Sequence, residues 1–129
     1  SGKTAVVDPA LAEPVLDKLA EKNWPLTYLF NTHHHRDHVS GNLELKQKTG
    51  CQIVGPKSDQ NRIPGIDLTV QENDKIMLGN HPVVTFETPG HTSGHIVYFF
   101  PEDELLFCGD TLFVMGCGRL FEGTPEQMW

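Results

Sequence analysis

Thr32-His33-His34-His35-Arg36-Asp37-His38 gathers four of the chain's seven histidines and a carboxylate into seven consecutive positions. The short β-type run 26–30 lies just upstream. Neutral imidazole and carboxylate are the donors of zinc and other first-row divalent metals. In extended backbone, residues i and i+2 point the same way. His33 and His35 can therefore grip one ion from one side, which leaves His34 for a supporting or surface role. Asp37 and His38, beyond the strand, can turn to a second ion. A bare histidine tag has no reason to continue into Asp37-His38, so the pattern reads as a metal site.

Two further donors recur in the same setting, each after a run rich in β-branched and aromatic residues. Residues 83–86 lead into Thr88-Pro89-Gly90-His91-Thr92-Ser93-Gly94-His95, and residues 105–108 lead into Gly109-Asp110-Thr111. Ligands at successive strand ends converge on one edge of a sheet. His95 reads as a buried, hydrogen-bonded imidazole supporting the ligand loop. His81, in Asn80-His81-Pro82, reads as exposed, and Asp59, Asp67 and Asp74 as loop or turn carboxylates. Cys108 and Cys117 lie near the expected metals but read as inert thiols.

Outward from the histidines, a strand is expected at 5–7, closed by Asp8-Pro9. A helix follows, starting near Pro9 or Ala10 and ending by Asn23, with apolar residues at helical spacing. A second helix is expected from Gly41-Asn42 to Gly50, a strand at 51–54 and a loop over 55–67. Strands at 76–78, 83–86, 96–100 and 105–108 have the spacing of an antiparallel meander. Thr124-Pro125-Glu126-Gln127 signals a helix start: an N-cap Thr, Pro at the first helical position and Gln three after the cap. The sequence stops at Trp129, as expected of a segment cut from a longer protein.

The chain of 129 residues is 38% hydrophobic, and Lys+Arg 10 against Asp+Glu 17 gives a formal net charge of −7. That is room for one domain with its own core. The acidic balance argues against nucleic acid as partner. No apolar run reaches the roughly 18 residues of a membrane span. Three cysteines at irregular spacing argue against a disulfide framework, so a cytoplasmic setting is expected.

Together the segments 32–42, 88–99 and 106–124 resemble the metallo-beta-lactamase fold hydrolases. The string Gly116-Cys117-Gly118-Arg119-Leu120-Phe121-Glu122-Gly123-Thr124 narrows the resemblance to glyoxalase II, the hydroxyacylglutathione hydrolases. The resemblance implies an α/β fold, an αββα sandwich of which residues 1–129 are a partial catalytic domain. It implies two divalent ions, zinc with iron or manganese as alternatives. His33, His35 and His91 are then terminal ligands of one, Asp37 and His38 of the other, and Asp110 bridges them. It further implies that a hydroxide shared by the two metals attacks the carbonyl of S-lactoylglutathione, releasing D-lactate and glutathione, with Asp37 and Asp110 as catalytic carboxylates. Arg119 and Phe121 fall at substrate-contacting positions, and a monomer is expected. Two dications would add +4 locally to an acidic chain, which suits an anionic substrate.

This sequence departs from the family pattern in two places. The histidine of a Gly-His-Glu or Ala-His-Glu string, which completes the second metal site, is not reached, nor is the helical domain that supplies further basic groups for glutathione. The first strands of the family are also not represented. Two competing readings follow: a metal-binding fragment without catalytic competence, and a persulfide dioxygenase built on the same scaffold with a single iron.

Overall fold

The computed structural model describes residues 2–129. Its strands form two sheets of four. The first, in the order β1 (Ala5–Val7), β2 (Tyr28–Phe30), β3 (Gln52–Pro56) and β4 (Leu68–Val70), is parallel throughout. Parallel neighbours need crossover connections. Helix α1 (Ala12–Lys22) joins β1 to β2, and the one-turn α2 (Arg36–Val39) and α3 (Asn42–Thr49) lie between β2 and β3. The second sheet, β5 (Lys75–Leu78), β6 (His81–Glu87), β7 (Ile96–Phe100) and β8 (Leu105–Phe107), is the expected antiparallel meander.

The sheets pack face to face. Phe30, Val54 and Val70 from the parallel sheet meet Val83, Ile96, Tyr98 and Phe100 from the antiparallel one in a single buried cluster. Tyr98, fully buried, places its ring 4.8 Å from that of Phe30 and donates its hydroxyl to the carbonyl of Asn31 at 2.7 Å. On the other face of the parallel sheet, Leu29 and Ile53 pack with Ala12, Leu45, Val15, Leu16 and Leu19 of α1 and α3. Among the described residues, these layers are the helix, sheet and sheet of the expected sandwich.

Several boundaries differ from the sequence reading. Helix α1 starts at Ala12, two to three residues late, so Pro14 falls within the first turn, where its missing N–H is harmless. Strand β3 runs on to Pro56 and a 3-10 turn, Lys57–Asp59, follows within the expected loop, while strand β4 lies just after it, where no strand is assigned from the sequence. The start signal at Thr124 forms a full capping box with Gln127 and opens α4 (Pro125–Met128).

Leu29, fully buried between α1, α3 and the sheet, sets one expected result. Leu29→Ala should cost about 2–5 kcal/mol in urea unfolding, through lost burial and the cavity left behind. A loss below about 1 kcal/mol would mean that this face of the sheet is not packed as described.

Candidate metal centre

Four strand ends meet at one edge of the sandwich. β1 ends into Asp8, β2 into the histidine run, β6 into the loop carrying His91, and β8 into Gly109-Asp110. The two sheets are joined there by the Ile96 N–H donating to the Thr32 carbonyl at 2.9 Å. As a result His33, His35, His91 and Asp110, up to 77 positions apart in sequence, each offer one donor atom within 4.8 Å of one another.

The hydrogen bonds fix which nitrogen of each ring is free. His91 Nδ1 lies 2.7 Å from the Arg119 carbonyl, which can only accept, so Nδ1 carries the hydrogen and Nε2 a lone pair. His38 Nδ1 is held by the Asp8 carboxylate at 3.1 Å, with the same consequence. Thr32 Oγ1 gives its proton to Asp8 Oδ2 at 2.6 Å, so it accepts from His33 Nδ1 at 2.9 Å. The freed Nε2 atoms all face Asp110: His91 at 3.1 Å and His33 at 3.8 Å from Oδ2, His38 at 3.4 Å from Oδ1. His33 Nε2 is buried without a hydrogen-bond partner. Lone pairs aimed at a carboxylate in a buried site repel one another unless a cation lies between them. The donor set therefore fits a divalent metal.

The electrostatics favour the same state. Burial, reinforced by His95, His38, His35 and His91, pushes the His33 imidazole far below its ordinary range and keeps it neutral. Burial and His91 lower His35 as well. His38 differs: burial lowers it, but its hydrogen bond to Asp8 and the charges of Asp8, Asp110 and Asp37 more than offset this, and its net shift is upward.

His95 is fully buried and pushed down to about 3, first by burial and then by the neighbouring histidines. Its Nε2 accepts the Asp110 N–H at 3.1 Å, and its Nδ1 lies 3.0 Å from both Thr88 Oγ1 and Thr111 Oγ1. Its lone pair is already used. As read from the sequence, it supports the ligand loop.

Asp8 plays a part that the sequence reading missed. It takes a left-handed backbone conformation (φ 48°), accepts the Thr32 N–H at 2.8 Å and holds both Thr32 Oγ1 and His38 Nδ1. Asp8, His33 and His38 also form a compact acid and imidazole group. The Nδ1 atoms on that side are already hydrogen-bonded, so this group orients rings. Asp37, in the first turn of α2, is 77% exposed, with Oδ2 3.5 Å from His38 Nε2. Asn31 Nδ2 donates to the His38 carbonyl at 2.9 Å, and Asn42 Nδ2 to Asn31 Oδ1 at 2.6 Å, which fixes the turn of α2.

His34 turns its Nδ1 to Asp59, 3.6 Å from Oδ2. Asp59, read from sequence as an ordinary loop carboxylate, is 2% exposed. The segment 116–123 crosses above the histidines. The Gly118 N–H donates to the Asp110 carbonyl at 2.7 Å, and a β-carbon on Gly118 would lie 2.6 Å from both that carbonyl and His91 Nδ1, so only glycine fits. Phe121 sets its ring 5.5 Å from that of His35 and 5.3 Å from that of His91. Arg119 holds His91 through its carbonyl while its side chain is exposed. Cys108 Sγ donates to the Leu112 carbonyl, Cys117 is exposed, and His81 Nδ1 lies 3.1 Å from Asp103 Oδ2, away from this cluster.

The chain is similar to known proteins. The hydroxyacylglutathione hydrolase of Methylococcus capsulatus is 56% identical over 129 residues, which are 100% of this chain and 50% of that protein. The chain thus spans about half the length of the curated relatives it matches. The crystal structure of ETHE1 from Myxococcus xanthus superposes with a TM-score of 0.85 at 31% identity, over 99% of this chain and 56% of that one. That of BLEG-1 B3 metallo-beta-lactamase does so at 0.89 with 21% identity, over 98% and 71%, a likeness of fold. No helix of the described residues is long and apolar enough to cross a membrane. With the family model of the metallo-beta-lactamase superfamily matched over residues 1–127, the chain belongs to that superfamily.

Proposed function

We propose that residues 1–129 are part of one catalytic domain that hydrolyses a glutathione thioester, S-lactoylglutathione to D-lactate and glutathione, at a site for two divalent metals. The observation that carries this reading is the convergence of three Nε2 lone pairs on the two oxygens of Asp110. Oδ2 faces His33 and His91, with His35 Nδ1 3.0 Å from His91 Nε2, and these groups would hold one ion. Oδ1 faces His38, which with Asp37 would hold the other. Imidazole and carboxylate donors favour zinc, and accept iron or manganese. Bound there, such ions supply Lewis acidity toward a carbonyl oxygen and lower the pKa of water from about 15.7 toward about 7.

The chain's own residues divide the remaining work. Asp110 places a negative charge between the two donor groups, offsetting repulsion between dications. Asp8 and His95 hold His38 and Asp110 in the tautomer and orientation that leave the required lone pairs free. Phe121 supplies an apolar wall beside His35 and His91, and the exposed guanidinium of Arg119 can pair with a glutathione carboxylate. The thioester assignment draws its support from the 56% identical relative named hydroxyacylglutathione hydrolase.

The test is metal analysis and thioester turnover on the purified, zinc-loaded chain. Bound divalent metal with S-lactoylglutathione consumed is the expected result. Bound metal with the thioester intact would support the catalytically incompetent fragment instead. Oxygen uptake with glutathione persulfide would support a dioxygenase, and a chain that retains no metal would overturn the site.

A further inference from the structure

Arg62 lies in none of the metal-site segments, yet it joins two carboxylates from distant parts of the chain. Its Nε and Nη2 donate to Oδ1 of buried Asp59 at 3.1 and 2.6 Å. Its Nη1 and Nη2 donate to the two oxygens of Glu122, 60 positions away, at 2.8 and 3.1 Å. Glu122 in turn accepts the N–H of Ser93 at 2.9 Å and its hydroxyl at 3.2 Å, two residues beyond His91. Fork-to-fork pairing of guanidinium and carboxylate fixes geometry as well as charge. The hydrogen bonds from Arg62 and Ser93 hold the Glu122 carboxyl down at about 2, so this link is fully ionised at neutral pH.

What the clamp holds is the strap 116–123. Just after Glu122, the strap meets the His91 loop so closely that a β-carbon on Gly123 would lie 2.5 Å from Gly90 Cα. Just before Glu122 come Phe121, against His35 and His91, and the exposed Arg119. His91, for its part, is fixed by the Arg119 carbonyl. The metal donors themselves stand on other elements: His33 and His35 follow β2, and Asp110 is held by His95.

We propose that Arg62, with Asp59 and Glu122, is a positioning residue that clamps the strap in register over the metal donors and thereby sets substrate affinity. The clamp stands on geometry alone; its effect on substrate rests on the thioester reading above.

The test uses the zinc-loaded chain with Arg62→Gln, Glu122→Gln and the double substitution. Limited trypsin digestion, followed by mass spectrometry, reports the rate of cutting after Arg119. Each single variant should be cut there about tenfold faster than the parent, because the strap opens locally more often. The double variant should match the singles, since both break one link. Zinc content should not change, and KM for S-lactoylglutathione should rise about tenfold with kcat within about twofold, the signature of lost binding. Glu122→Gln leaves the Arg62 bond to buried Asp59 in place and guards against simple misfolding. Cutting at the parental rate in both singles would overturn the clamp. Faster cutting with unchanged KM would overturn its role in affinity. A parent chain that leaves the thioester intact would overturn the thioester reading and the affinity role with it, while the digestion still decides the clamp.

Discussion

Replacing Asp110 with Asn should abolish stoichiometric metal binding and, for the thioester hydrolysis proposed above, lower turnover by at least ~10³-fold, about 4 kcal/mol of transition-state stabilisation. The carboxylate is the group on which the lone pairs of His33, His38 and His91 converge. An amide keeps its size but removes its charge, and its NH2 can donate to the Nε2 of His91 or His38. The metal-free fold should therefore survive, with an unfolding midpoint at or above that of the metal-free parent. This pairing of outcomes separates a metal role from a structural one. Loss of metal together with collapse of the fold would make Asp110 a structural carboxylate, and metal retained at parental affinity would exclude it as a ligand.

The second large effect is expected from Asp8→Asn, although Asp8 is hydrogen-bonded behind the rings. Its Oδ1 accepts the Thr32 N–H, so the amide oxygen of Asn would take that place and the NH2 would face Thr32 Oγ1 and His38 Nδ1. Both must then accept. His38 would hold its proton on Nε2, and the Thr32 hydroxyl, no longer donating to Asp8, would donate to His33 Nδ1 and move that proton to Nε2 as well. Two lone pairs would be withdrawn from the Asp110 side without moving a ring. Metal affinity should fall about 10–100-fold, as for other groups that orient metal-binding histidines, with secondary structure unchanged by circular dichroism. Parental affinity in this variant, measured by competition with a chromophoric chelator, would mean that the tautomers are not controlled from Asp8.

Local pattern made the antiparallel sheet readable. Val83, Thr85 and the alternate residues Ile96, Tyr98 and Phe100 face inward at period two, and turn residues separate each strand. The parallel sheet was harder to see. β4 is three residues long and follows Pro64-Gly65, and its partner β3 lies across a connection with no periodicity. α2 is a single turn within a histidine run, where chemistry hides propensity. Among site residues, His33, His35, His38, His91 and Asp110 stood out because residues that bind metal cluster at strand ends. Asp8 and Asp59 did not. The partners of Asp8 lie 24 and 30 positions away and are brought to it by the parallel pairing of β1 and β2, while Asp59 bonds Arg62, three positions on, and only that guanidinium links it to Glu122. Asp8 did carry a faint signal, a carboxylate closing an apolar strand; Asp59, in a polar loop, carried none.

Nε2 lone pairs on His33, His38 and His91 await a divalent ion. The most direct measurement is long-range proton–nitrogen NMR of the histidine rings in the metal-free chain, repeated on adding zinc. Hydrogen is expected on Nδ1 and not on Nε2 of His33 and His91, and likewise of His38 at a pH above its raised pKa, with the Nε2 resonances shifting on zinc binding while Nε2 of His95, already bonded to the Asp110 N–H, does not report coordination. Hydrogen found on Nε2 of these rings under those conditions, or zinc added without a shift in their Nε2 resonances, would rule this out.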